Sequence, residues 1–483
     1  MMRTRIGRVA VFGLSAVLAA LWQLPAAQAQ FGGGFGGGGL GGFGGGGFGG
    51  GGAAGVLIDA QGVLRVKRVR DTRGDLQRRR FEAARAELNP QLIKPNLLRK
   101  VSLTRLERAV AARLARGEEP TDDMKYLAGL LKIQYVFFYP ETGDIVIAGP
   151  AEGFAPDPAG RVRGLTSGRA VLQLEDLIVA LRAFAPGSEP TAVIGCSIDP
   201  TPEGLKRMQN LLARIGRQID PRFRAAATRR IVAGLKQALG PQIVTVEGVS
   251  ARTHFAQVLV EADYRMKLIG IGLEPPPLKK MRSYVDRANP RAVSRNAMSR
   301  WYFTPDYESL RVSDDRLAME LVGWGAKLIG EDEFVARNGQ IRQDVKVNAA
   351  SRQWCREFTE KFGAIADRSP VFAQLRNLMD LTIMAAYIRE EGFYDKLDWD
   401  LGVFGDESKL PVERFVAPRQ VETAVNAIWK GNALMTPIGG GVQIEPMRAL
   451  RSTNVQHDED GKLAESRGKI DVKRLPADRW WWD

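Results

Sequence analysis

Apolar side chains recur at three- and four-residue spacing in several stretches. Ser102–Arg116 sets Leu103, Leu106, Val110 and Leu114 on one helical face, and Asp75–Leu88 does so with Leu76, Phe81, Ala84 and Leu88. Thr104 and Glu107 have the spacing of a capping box. From Trp354 to Ala386 the same period runs through Phe358, Phe362, Phe372, Leu375, Leu378, Met379 and Thr382, and Ser369-Pro370 splits it into two helices. Leu177–Phe184 and Gln420–Lys430 are shorter helices. Thr201, Pro202 and Glu203 supply a cap, a first-turn proline and a dipole partner for a helix to Ile215. Asp220-Pro221 opens another, to Leu239.

Strand patterns fill the rest. Ile133–Gly149 reads as a hairpin around Pro140-Glu141-Thr142-Gly143. Val171–Leu174, Ala192–Ile198, Ile243–Glu247, Thr253–Gly272 and Val442–Glu445 read as strands, and Trp301–Phe334 as an antiparallel meander. Within the central stretch Val260–Pro277, Glu261, Asp263, Arg265 and Lys267 alternate as they would on a strand, which ends at Pro275–Pro277. The pattern predicts an α+β fold of mixed and antiparallel sheets with packed helices, in two domains: residues 55–274 and 275–447, then a loose polar tail, 448–483, ending in Trp480–Trp482. Those indoles suit a membrane interface, a contact with the body or an oligomer contact. Lys267-Leu-Ile-Gly270 recurs at Lys327–Gly330, but four residues are too few to establish a duplication.

Residues 1–29 have the form of an export signal: Arg3, Arg5 and Arg8, an apolar run Val9–Leu21, then Ala27-Gln28-Ala29 before the cleavage point. The chain is therefore expected to be secreted, periplasmic or in the cell envelope. No later apolar run reaches the roughly 18 residues of a membrane span. Residues 30–54 are Gly/Phe-rich. Glycine this dense predicts disorder, and Phe31–Gly52 as a coil spans roughly 25 Å. It serves as a spacer, or its spaced Phe residues support self-association.

Net charge is +14, and +11 once Arg3, Arg5 and Arg8 leave with the signal. Sixteen Lys/Arg against five Asp/Glu between Arg65 and Arg116 account for all of that excess. The block, with Arg78, Arg79, Arg80, Arg85, Arg105 and Arg108, is either a solvated basic surface or a contact for an anionic polymer or lipid. No interleaved aromatics support base stacking, and export argues against nucleic acid.

The segments Cys196–Gly204 (CSIDPTPEG), Glu261–Glu274 (EADYRMKLIGIGLE), Trp399–Asp406 (WDLGVFGD) and Trp429–Gly441 (WKGNALMTPIGGG) carry a resemblance. Over roughly residues 55–450 the chain resembles secreted planctomycete proteins carrying domain of unknown function 1598. The resemblance implies export and supplies no activity or site residues.

Cys196 and Cys355 are either one disulfide or two buried thiols. A disulfide closing about 160 residues adds roughly 4–5 kcal/mol in the chain-entropy model. Two histidines, His254 and His457, are too few for an ordinary zinc site, and no metal ligands are assigned. Gly164–Gly168 has the wrong spacing for a nucleophile elbow, and Gly270-Ile-Gly272 lacks a third glycine. Ser466 and Lys469 meet only by chance spacing in the tail. His254, at a strand entrance, is read as structural. Calcium is the one ion with any support, from the acidic clusters Asp395–Glu407 and Asp458–Asp460; neither fits an EF-hand, and no cofactor is expected. Asp199, Asp263, Asp306 and Asp400 are the carboxylate candidates for a hydrolase. With no nucleophile or metal signature, the favoured reading is a non-catalytic envelope binding or structural protein, held partly by the basic block. A carboxylate-dependent hydrolase of an envelope polymer is the alternative.

Overall fold

The computed structural model describes residues 55–67, 69, 71, 73–215, 224–288, 301–330, 349–426, 428–430, 433–435 and 441–483. The export signal, the Gly/Phe segment, the Asp220-Pro221 helix start and Gly439-Gly440 lie outside them. In chain order the strands are β1 (Val56–Ile58), β2 (Val63–Val66), β3 (Asn96–Ser102), β4 (Tyr135–Tyr139), β5 (Asp144–Ala151), β6 (Phe154–Pro156), β7 (Val162–Gly164), β8 (Ile194–Asp199), β9 (Gln242–Glu247), β10 (Trp301–Pro305), β11 (Leu310–Val312), β12 (Ala318–Leu321), β13 (Ala326–Gly330), β14 (Gln420–Val421), β15 (Ile428–Lys430), β16 (Ala433–Met435), β17 (Gly441–Ile444), β18 (Val455–His457) and β19 (Trp481–Trp482). The longer helices are α1 (Asp75–Glu87), α2 (Leu103–Leu114), α3 (Leu174–Ala183), α4 (Pro202–Ile215), α5 (Arg224–Leu239), α6 (His254–Gly270), α7 (Ala349–Glu360), α8 (Phe362–Arg368), α9 (Pro370–Glu390) and α10 (Lys462–Gly468).

The fold is α+β. One sheet runs β1-β2-β14-β9-β8-β17-β10-β13 and a second runs β18-β11-β12-β4-β5-β3-β19. Both are mixed: β10–β17 and β11–β18 are parallel inside otherwise largely antiparallel ladders. Each sheet combines strands from both sides of Pro275–Pro277, and Gly49–Asp483 forms one compact unit. The expected division into residues 55–274 and 275–447 is therefore replaced by one shared core, because neither half holds a complete sheet.

A helix that is apolar all round has to be buried. The 21 residues of α9 are such a helix, and nearly all are enclosed. Its N-terminal half meets the first sheet, with Phe372 5.7 Å from Phe303. Its C-terminal half meets the second, with Tyr387 5.8 Å from Phe138. Edge-on contacts of Trp301, Trp354, Phe358 and Phe303 extend this core onto α7. Each such ring pair contributes about 0.5–1.5 kcal/mol beyond its buried area.

Several sequence expectations change. Thr253–Gly272 is the helix α6, not a strand. Thr253 caps it by accepting from Ala256 N at 3.2 Å. The alternating charges that suggested a strand resolve into two i,i+4 pairs, Glu261–Arg265 and Asp263–Lys267. Gln420–Lys430 is not a helix: it contributes β14 and β15. The meander at 301–330 is two pairings in different sheets, β10 with β13 and β11 with β12. The chain recrosses between the sheets through Gly323 and Gly325, both at φ +82°, a conformation that favours glycine. Ser102, not Thr104, caps α2, and Glu107 instead accepts from Val403 N at 2.8 Å.

The tail is not loose. β18 and β19 join the second sheet, and Trp481 pairs with Val101. Among the described residues, no helix is long and apolar enough to cross a membrane.

Candidate functional site

The family-like stretch around Val260 lies on α6, which packs between β8 of the first sheet and the helices α3 and α9. At about 100° per residue, His254, Glu261 and Arg265 share one flank, and Asp263 and Lys267 the opposite one. The sequence thus puts ionisable groups on both sides of a buried helix, and each must find partners.

On the first flank, both carboxylate oxygens of Asp176 (α3) lie 2.9 Å from His254 Nδ1. Nε2 faces the side-chain amides of Gln173 at 3.2 Å and Gln374 at 3.5 Å. Arg161 donates to Gln374 Oε1 and to Glu261 Oε2, and Arg265 joins Glu261 to Glu274. Burial disfavours the imidazolium, but Asp176, with help from Glu175, holds the His254 pKa above its ordinary value. An Asp–His pair invites comparison with a nucleophile and base. Here Nε2 is engaged by two amides, so the pair orients and fills rather than activating a hydroxyl or thiol.

On the second flank, Lys267 Nζ lies 2.9 Å from Asp263 Oδ2 and donates to Ile198 O at 3.3 Å. Burial pushes the Asp263 carboxyl up to about 6, with Lys267 opposing and Asp199 adding to the rise. Cys196 stands in the same field, its thiol pushed well up by burial and then by Asp263. Of the four carboxylate candidates, Asp199 and Asp263 are thus electrostatically coupled. Asp306 sits elsewhere, 2.8 Å from Lys327 Nζ. Asp400 is exposed and accepts from Gly402 N at 2.9 Å, closing a turn. Four acids on one groove are not what the fold assembles.

Cys196 and Cys355 are buried, free thiols, so the disulfide alternative is not realised. The acidic clusters also have local work. Asp458 accepts from Lys462 N at 3.1 Å and Leu463 N at 2.7 Å, starting α10. Asp406 accepts from Ser408, which holds its pKa down at about 2. Among the described residues no group of three or more His, Cys, Asp or Glu is placed to hold a metal.

The basic block is divided: Arg99 and Arg105 turn into the fold, and most of its other cations stay at the surface. Arg105 is buried in a fork with Asp144 at 2.8 and 3.1 Å and also donates to Val472 O and Pro476 O. Arg80 and Arg85 reach the carbonyls of Asp157 and Leu165. Arg78 pairs with Asp75 at 2.6 Å. Arg78, Arg79, Arg80, Arg85 and Arg108 are all exposed, with Arg108 donating to Thr104 O at 3.3 Å.

A cleft of about 210 Å³ opens beside the Asp176–His254 pair. Gln173 and Glu175 belong to its wall, so the buried polar chain reaches it directly. Leu174, Ile178, Leu410 and Val412 form its apolar side. Glu175 is paired with Arg414 at 2.9 Å, and burial raises its pKa against the pull of His254 and Arg414. Burial likewise raises Tyr126 to about 12, so its hydroxyl stays a donor. Sequence reasoning missed Asp176, Arg161, Gln374 and this cleft. Their contacts span 78 to 213 residues of chain and leave no local spacing to find.

A family model described as a protein of unknown function (DUF1598) matches residues 196–284. That interval runs from β8 through α6, and holds two of the four segments that carry the resemblance, Cys196–Gly204 and Glu261–Glu274. The match carries no activity. The chain matches no curated protein and no solved structure.

Proposed function

We propose that the protein is an exported, envelope-associated binding protein that takes an apolar group flanked by an anionic one into the cleft beside α3. The observation that carries this reading is the cleft itself. Its apolar wall is bordered by three cations, Lys125, Lys409 and Arg414, which lie in ion pairs with Glu119, Asp406 and Glu175 and can exchange those partners for an anionic group. At about 210 Å³ it lies below the roughly 300–1,000 Å³ of sites for drug-sized ligands, so it suits one side chain of a larger polymer. The anionic partner expected from composition is retained, but its contact moves from the arginines of α1 to this rim. Leu410→Trp fills the cleft from its half-buried edge. Retention on isolated envelope material is expected to fall at least about tenfold, some 1.4 kcal/mol, with the melting temperature unchanged. Equal retention of both proteins defeats the reading.

A carboxylate-dependent hydrolase is the second reading, favoured by the coupling of half-exposed Asp199 to buried Asp263. It requires turnover of an envelope glycan or peptide that both Asp199→Asn and Asp263→Asn abolish. No turnover by the wild-type protein removes it.

A further inference from the structure

The second sheet carries another cavity, of about 750 Å³ and polar, against the start of α10. Its floor is set by strand register. Tyr135 on β4 stands opposite Glu320 on β12, Glu320 opposite Arg311 on β11, and Arg311 opposite Gln456 on β18. Directly opposed residues project on the same face, so the four side chains form one row across four strands. Three inter-strand spacings make that row about 14 Å long. Arg311 Nη1 donates to Glu320 Oε2 at 2.8 Å and Nη2 to Gln456 Oε1 at 3.4 Å, which fixes the row's geometry. Tyr135 ends it, with its ring stacked on Phe137 at 5.7 Å and 14° and its hydroxyl 3.1 Å from Gln134 Nε2.

We infer that this groove binds a neutral oligosaccharide. The argument is chemical. Guanidinium, carboxylate and amide groups are planar forks that donate or accept in pairs, and adjacent sugar hydroxyls present paired donors and acceptors at matching separation. The aromatic ring at the end of the row offers a flat apolar surface to the C–H face of a pyranose. The groove holds four carboxylates against two side-chain cations, so it disfavours phosphorylated, sulfated or uronic polymers. An extended row on a rigid sheet suits a linear chain of a few sugars rather than a single compact ligand. The site shares no lining residue with the α3 cleft and does not depend on it.

Titration calorimetry on the full-length secreted protein, with cellotetraose and chitotetraose as neutral probes and polygalacturonate as the anionic control, tests the inference. At least one neutral tetrasaccharide is expected to bind with a Kd of millimolar or tighter. Tyr135→Ala and Gln456→Ala are each expected to weaken it by about tenfold, and polygalacturonate is expected not to bind. Gln456 is exposed at the sheet edge, so its variant keeps the test decisive even where Tyr135→Ala unfolds the protein. Failure of both neutral probes, unchanged binding by both variants, or preference for polygalacturonate overturns the inference. The Tyr135 and Gln456 variants localise the sugar to this groove, so the outcome is separate from that of the envelope-retention experiment on the cleft.

Discussion

Asp263 has no exposed surface, and burial lifts its carboxyl to about 6 despite Lys267 at 2.9 Å. Asp380 on α9 is lifted further, to about 7, by burial beside Arg376 and Lys132. Both acids keep a proton in the folded protein that the unfolded chain releases near its ordinary value of 3.8. Folding therefore binds protons in this window, and these groups make stability fall as pH rises from about 4 to about 7. Urea unfolding of Asp263→Asn is expected to show a shallower fall between pH 4 and 6 than the wild-type protein. An identical slope contradicts the assignment. Asp263 was legible as an acid in a charged stretch, and Asp199 as one of four carboxylate candidates. Their coupling was not, because it depends on α6 packing its Asp263 flank against β8. His254 was legible as structural, but its partner Asp176, 78 residues away, was not.

At the scale of elements, α1, α2, α7 and α9 were readable from three- and four-residue apolar spacing, and α4 from its cap residues Thr201, Pro202 and Glu203. The hairpin β4–β5 was readable from its alternation and turn. The α6 segment was misread because its four charges alternate at period two, and the tertiary setting on both flanks decided in favour of helix. Its cap gives a direct check: Thr253→Ala is expected to cost about 1 kcal/mol, measured by denaturant unfolding, and no change would leave α6 held by packing alone. The tail illustrates the other failure. Its polar composition predicted looseness, yet arginines of the basic block hold it. Arg99 is fully buried, donates to Ala128 O at 2.8 Å and Gln91 O at 3.0 Å, and pairs with Asp483 at 2.6 Å. Arg105 does the same for Val472 and Pro476. Arg99→Ala is expected to cost about 3–5 kcal/mol, because carbonyls and a carboxylate lose their donor together. A loss below about 1 kcal/mol in chemical denaturation would show the tail to be held otherwise.

For the whole molecule, strands from both chain halves interleave in both sheets, and α9 touches both. Calorimetry is expected to give one unfolding transition for residues 49–483. Two separate transitions would restore the division near Pro275. The fold divides the basic block: Arg99 and Arg105 are buried in internal pairing, while Arg78, Arg79, Arg80, Arg85 and Arg108 stay at the surface. The proposed site is a cleft whose walls come from residues 114–126, 173–178 and 409–414. The most direct test is hydrogen exchange read by mass spectrometry, with and without solubilised envelope material. The account predicts added protection concentrated in residues 119–126 and 409–414. Protection confined to α1, or none in the cleft segments while the protein is bound, would contradict it.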